Sequence, residues 1–232
     1  MKKYLLISIL ALVSLTGIFC TTNAKTYTTP SKKYVALTFD DGPNENTTPL
    51  LLDILKAKNV HATFLLIGQN IQQCSGIVQR IYNEGHMIGN HTWDHIVLQG
   101  LSTRKIITEV QKTQKIIKKF TGYTPIIVRP PYGAQNGKIL NILGRYHLAS
   151  LQWSLDSNDW ELPSSEKLVQ NIMDNIQPGK IILMHDTLTG TVQAMGNIID
   201  AIQKSGYTIV TVSELLGGPK YIHPGSIYRK GQ

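Results

Sequence analysis

The chain has 232 residues, 42% of them hydrophobic and 16% charged, a mix that lets a chain of this length bury one sizeable core. Two cysteines exclude a disulfide framework, because Cys20 falls in an N-terminal apolar run and Cys74 is then alone. The formal charge of +8 favours an anionic surface, while lysines and arginines that read as scattered rather than striped argue against nucleic acid as a partner.

In chain order, Lys2 and Lys3 precede an uncharged run over 4–20, and Thr22-Asn23-Ala24 then offers the small residues a signal peptidase accepts. Residues 1–24 therefore read as a secretory signal, and residues 25–232 as one exported domain with no stable membrane span once the signal is cleaved. An uncleaved anchor is the competing reading, but the apolar stretch falls short of the roughly 20 residues a bilayer requires. A lipoprotein reading of Cys20 meets Phe19 where a small residue is wanted. Removal of Lys2 and Lys3 leaves a charge of about +6 on the same count.

From Tyr34 onward, short β-branched and apolar runs alternate with longer amphipathic stretches, the pattern of a β/α fold. Strands are expected over 34–39, 62–67, 87–90, 126–129, 148–154, 180–184 and 208–210, each short enough to be a buried parallel strand. Helices are expected over 48–58, 71–83, 102–120, 137–146, 165–176 and 192–204. The third is the clearest: Ile106, Ile107, Val110, Ile116 and Ile117 oppose lysines and Glu109, and Ser102 is its N-cap. Such steps predict a distorted (β/α) barrel of seven or eight strands, complete or incomplete. Its core covers about 34–216, followed by an irregular tail over 217–232 that either packs across the barrel or frays.

The reactive residues fall at strand ends. Asp40 and Asp41 end the first strand, His91 and His95 follow the third, and Arg129 ends the fourth. Asp156 and Asp159 follow the fifth and His185 the sixth, so all would converge on the C-terminal rim of a barrel. His91 and His95 share a face if the segment after Asn90 turns helical, and a carboxylate from another strand would complete a three-ligand catalytic metal site. Adjacent Asp40 and Asp41 are costly to bury without a positive charge beside them, which a divalent cation supplies. His61, His86, His147 and His223 lack such spacing and read as packing or solvent histidines. Asp186 is left unassigned.

Five ordered segments carry a resemblance. Thr38-Phe39-Asp40-Asp41-Gly42, His91-Thr92-Trp93-Asp94-His95, Arg129-Pro130-Pro131-Tyr132-Gly133, Asp156-Ser157-Asn158-Asp159-Trp160 and Leu183-Met184-His185 are similar to the motifs of the polysaccharide deacetylases, the NodB-homology group or carbohydrate esterase family four. The resemblance spans about 34–216. It implies a metal, zinc or alternatively cobalt, held by Asp41, His91 and His95. It also implies Asp40 as general base oriented by Arg129, Tyr132 as a backbone oxyanion donor, and His185 as general acid oriented by Asp159. Trp160, Leu183, Pro131 and Tyr132 would line the acetyl pocket. The expected substrate is an acetylated glycan, of peptidoglycan or chitin type, met by a monomer in the periplasm, envelope or medium. Acetyl-ester cleavage of xylan type, another zinc amidohydrolase and a catalytically silent glycan-binding barrel are the rival readings.

Overall fold

The computed structural model describes residues 32–229 and 231. Its strands are β1 (Lys33–Asp40), β2 (Thr63–Leu66), β3 (Met87–Asn90), β4 (Ile127–Val128), β5 (Ala149–Leu151), β6 (Leu155–Asp156), β7 (Ile181–His185), β8 (Tyr207–Ile209) and β9 (Ile227–Tyr228). Every pairing is parallel, in the order β6, β7, β1, β2, β3, β4, β5, β9, with β8 beside the first residues of β1. The helices are α1 (Thr48–Ala57), α2 (Gly68–Gln73), α3 (Ser75–Asn83), α4 (Thr103–Thr121), α5 (Gly137–Arg145), α6 (Ser165–Asn175), α7 (Thr189–Lys204) and α8 (Val212–Leu215). The sheet curls without closing, and β6 and β9 are its edges among the described residues. This is the distorted (β/α) barrel expected, left open and built among the described residues from nine strands rather than seven or eight, because the expected fifth strand divides and the tail adds one.

Alternation along the strands builds two cores. Val35, Leu37 and Phe39 of β1 face outward and pack with Phe64, Leu66, Ile182 and Met184 against residues of α1 and α7 such as Leu55 and Ile198. Their neighbours Ala36, Leu65 and Ile181 face inward and meet Ile127, Leu151, Val212 and Leu216. Along β1 the inner row then runs Ala36, Thr38, Asp40, so the barrel interior is apolar at its floor and turns polar at the C-terminal strand ends. Truncating an outward anchor such as Leu37 to alanine is worth roughly 2–5 kcal/mol by loss of burial and the cavity left.

Three expectations are corrected. The helix over 71–83 is two, because Cys74 leaves helical geometry at φ −116°, ψ 39° between α2 and α3. The strand over 148–154 is also two: β5 pairs with β4 and β9, while β6 pairs with β7, so the chain leaves the sheet beside its β9 edge and rejoins it at the opposite edge. The tail, expected to be irregular, takes the packed course in its described residues and contributes β9, which pairs Ser150 with Ile227 and Leu151 with Tyr228. Beyond it, Gly231 N–H donates to the Gly179 carbonyl just before β7 (2.6 Å). The expected signal over 1–24 lies outside the described residues. Among those described, no helix is long and apolar enough to cross a membrane.

Candidate active site

Asp40, at the top of the inner row of β1, is buried and meets Arg129, which follows β4 and is fully enclosed. Arg129 Nη1 donates to Asp40 Oδ1 (2.6 Å) and to Thr38 Oγ1 (2.9 Å), and Nη2 donates to the Gln152 carbonyl (3.3 Å). The guanidinium thus fixes one carboxylate oxygen of Asp40. The other, Oδ2, lies 3.6 Å from His91 Nε2. Burying either charge alone would be expensive, and the pair offsets that cost.

Asp41 breaks from the strand with φ 72°, and its carbonyl accepts from Asn70 Nδ2 (2.8 Å), a residue of α2. Its Oδ1 is buried and accepts no hydrogen bond, although His91 Nε2 and His95 Nε2 stand 3.3 and 3.2 Å away. The reason lies on the far side of one ring. His91 Nδ1 bonds the Arg129 carbonyl (2.7 Å), so Nδ1 carries a proton, and whenever the ring is neutral its Nε2 turns a lone pair toward Asp41. One ligand atom from each of Asp41, His91 and His95 lies within 4.8 Å of the other two. Burial pushes the His91 pKa down, but Asp40 and Asp41 outweigh it and the ring sits above its ordinary value. Burial and the field of His91 hold His95 below its own. Three converging acceptors around a point that attracts positive charge fit a divalent cation of the borderline nitrogen and oxygen class.

The two histidines do not share a helix, which corrects the expectation for this segment. Residues 91–95 form a loop in which Thr92 and His95 adopt φ 66° and 54°. Hydrogen bonds hold it from two sides. The amides of Gly68 and Gln69, opening α2, donate to the carbonyls of Thr92 (2.9 Å) and Trp93 (3.2 Å). From α4, Glu109 Oε2 accepts from the amides of Trp93 (3.0 Å) and Asp94 (2.9 Å), while Glu109 Oε1 pairs with Lys105 (2.6 Å). Glu109 is only 1% exposed. Its sequence neighbours made it look like part of the polar face of α4, and its four-residue spacing from Lys105 resembles an ordinary surface pair.

His185 ends β7 in register with Asp40. Asp159 Oδ1 accepts from His185 Nδ1 (2.8 Å), and its Oδ2 accepts from the His185 amide (2.7 Å) and from Thr191 Oγ1 (2.8 Å). Burial would depress His185, but the Asp159 bond and charge, followed by the fields of Asp40 and Asp41, raise it to about 9. A cation held by the neighbouring cluster would offset the last two contributions and leave that of Asp159. Asp159 with Thr191 therefore positions an imidazolium whose Nε2 is free to donate.

The expected pocket residues separate by exposure. Leu183 and Pro131 are buried, whereas Trp160 (56%) and Tyr132 (69%) are open to solvent and form a lip rather than enclosed walls. Tyr132 has φ 59° within the turn Pro131–Gly133, and its ring lies 4.9 Å from that of His95. Asp186 is fully buried and accepts a hydrogen bond from the Thr48 hydroxyl, and burial raises its pKa to about 7. A Cβ on Gly42 would collide with its carboxylate oxygens, so the turn after Asp41 passes directly over this carboxyl.

Comparison with known proteins places this geometry. The family model described as polysaccharide deacetylase matches residues 27–150. The peptidoglycan-N-acetylglucosamine deacetylase PgdA of Listeria monocytogenes is 39% identical over 187 residues, covering 81% of this chain and 40% of the relative. The peptidoglycan-N-acetylmuramic acid deacetylase PdaC of Bacillus subtilis is 38% identical over 186 residues, 80% of this chain and 39% of the relative. The chain thus spans about two fifths of the length of these relatives. A solved structure, a T48 deacetylase with substrate, superposes with a TM-score of 0.80 at 37% identity, over 85% of this chain and 96% of that one. A parallel half-barrel with Asp41, His91 and His95 gathered at its mouth and a match of this extent make the chain a member of the polysaccharide deacetylase family.

Proposed function

We propose that the protein is an exported, divalent-cation-dependent hydrolase that removes acetyl groups from the N-acetylated sugars of peptidoglycan. One observation carries the reading: two proton-transfer pairs, Asp40 with Arg129 and His185 with Asp159, meet around the Asp41, His91 and His95 cluster, with Asp40 and His185 side by side in the β1–β7 ladder. The named activities of the relatives and the signal-like pattern over 1–24 support the substrate and the export.

Asp41, His91 and His95 would hold the cation, and the two-imidazole, one-carboxylate set suits zinc, with cobalt as substitute. When bound, it supplies Lewis acidity and lowers the pKa of water in its field. Asp40 takes the proton of the attacking water on Oδ2, because Arg129 occupies Oδ1 and keeps the carboxylate from rotating. The Tyr132 amide, fixed in its turn, donates to the oxygen on which negative charge gathers. Amide cleavage also requires a proton on the departing nitrogen, which His185 Nε2 delivers while Asp159 steadies the ring. Leu183 and Pro131 bound the methyl pocket, and Trp160 lies at its lip.

The test is release of acetate from peptidoglycan and from chito-oligosaccharides by the purified protein, followed by mass spectrometry of the glycan. A chelator should abolish release, and zinc or cobalt should restore it. Full turnover in the chelated protein would overturn the reading, and so would a zinc-loaded protein that releases no acetate from either glycan.

A further inference from the structure

The charge of this chain sits in one place, contrary to the scattered arrangement expected from the sequence. Residues 95–155 hold nine of the 23 lysines and arginines and one of the 15 acids, the buried Glu109. The rest of the chain holds 14 of each, so the formal +8 belongs wholly to this segment.

On α4, Arg104, Lys112, Lys115, Lys118 and Lys119 are exposed, opposite the buried Ile106, Val110 and Ile117. At about 100° per residue the five fall within an arc of about 120° along a helix about 28 Å long. Lys138 and Arg145 of the adjoining α5 are exposed as well. None of these seven is in an ion pair among the described residues; Lys105, nearest the mouth, is the α4 cation that meets carboxylates, Asp94 and Glu109. Lysines three and four apart repel one another along a helix, a cost that a bound polyanion would relieve.

We propose that the exposed faces of α4 and α5 dock a linear polyanion of the cell envelope, a phosphodiester-linked polyol chain, and so hold the enzyme against the wall with its mouth free. Lysine predominates, a point charge that tracks a flexible backbone rather than the planar fork that reads bases. The exposed arc of α4 carries no aromatic platform on which bases would stack. The choice of a wall polymer over nucleic acid rests on the envelope reading above; the anionic character of the partner rests on the charge alone.

The experiment measures binding of the purified protein to poly(glycerol phosphate) at about 50 and 200 mM salt. A variant combining Lys112→Gln, Lys115→Gln, Lys118→Gln and Lys119→Gln keeps good helix formers on α4. It should bind at least tenfold more weakly, with a shallower salt dependence, and deacetylate soluble chito-oligosaccharides at the unmodified rate. Lys167→Gln with Lys204→Gln, on α6 and α7, should leave binding unchanged. Equal affinity of the α4 variant and the unmodified protein would overturn the proposal. No binding by the unmodified protein, or tighter binding of single-stranded DNA at equal phosphate concentration, would do so too. An unmodified protein that binds the polymer yet releases no acetate would instead sink the catalytic reading and leave the docking face standing.

Discussion

Two histidine pairs lie at opposite ends of the barrel, both touching β3, and only one is built to hold a cation. At the mouth, the His91 and His95 rings are 4.9 Å apart; at the floor, His61 before β2 and His86 before β3 are 5.8 Å apart. Proximity is therefore not what separates them. His91 donates from Nδ1 to a carbonyl, which leaves Nε2 bare toward Asp41. His86 accepts from the Ala62 amide on Nδ1 (3.1 Å), so its Nε2 carries the proton and has no lone pair to offer. The hydrogen bond on the far nitrogen decides what the near nitrogen can do.

The largest effect expected at the mouth comes from Asp40→Asn. It should lower kcat by about 10³-fold while one zinc per chain is still bound, because it removes a proton acceptor and spares the ligands. Turnover at the unmodified rate would take Asp40 out of the mechanism. His185→Ala should cost about 10²-fold or more on N-acetyl glycans and much less on an activated acetyl ester, whose leaving group requires no proton. Equal losses on both substrates would remove the acid role. Glu109→Ala sharpens the comparison without touching a ligand. Zinc affinity should fall about 10–100-fold in a chelator competition, with Glu109→Gln recovering part of it. A matched drop in thermal stability with unchanged affinity would make Glu109 merely structural.

At the floor the expected effect is smaller and concerns stability. Burial, then His61, lowers the His86 pKa to about 4, against 6.5 for the exposed ring. Below pH 6.5 the unfolded chain binds a proton that the folded one refuses, so this contribution is complete above that pH and drains away as pH falls toward 4. From pH 7 to 5 the loss is about 2 kcal/mol. Urea unfolding at the two pH values should show it, and His86→Gln should remove it. Zinc stoichiometry should stay at one per chain when His61 and His86 are both replaced by alanine.

The strands and the mouth were legible because both rest on short-range rules. Alternation marks buried strands, and strand ends collect at one rim whatever the loops between them do. What escaped depends on partners far along the chain. The 91–95 segment is shaped by Glu109 and by the start of α2, so its four-residue spacing suggested a helix that does not form. Glu109 itself reads as surface charge until its oxygens are seen on two amides. Cys74 carries no breaker signal, and the split of 148–154 follows from which edge each half joins. Nor does the tail announce β9, whose pairing with β5 exists only once the rest of the sheet is in place. The basic flank was hidden because a helix gathers on one arc residues that lie apart in the sequence.

The central strand β1 leans on neighbours made at very different times. Its first residues pair with β8 and its last with β7, segments translated some 140 to 175 residues later. A nascent chain emerging from the ribosome holds β1 long before either partner exists, so the sheet cannot be completed ahead of synthesis, and such distant pairings form slowly. A polypeptide that stays open until its last strands arrive is one that a translocation channel can still thread.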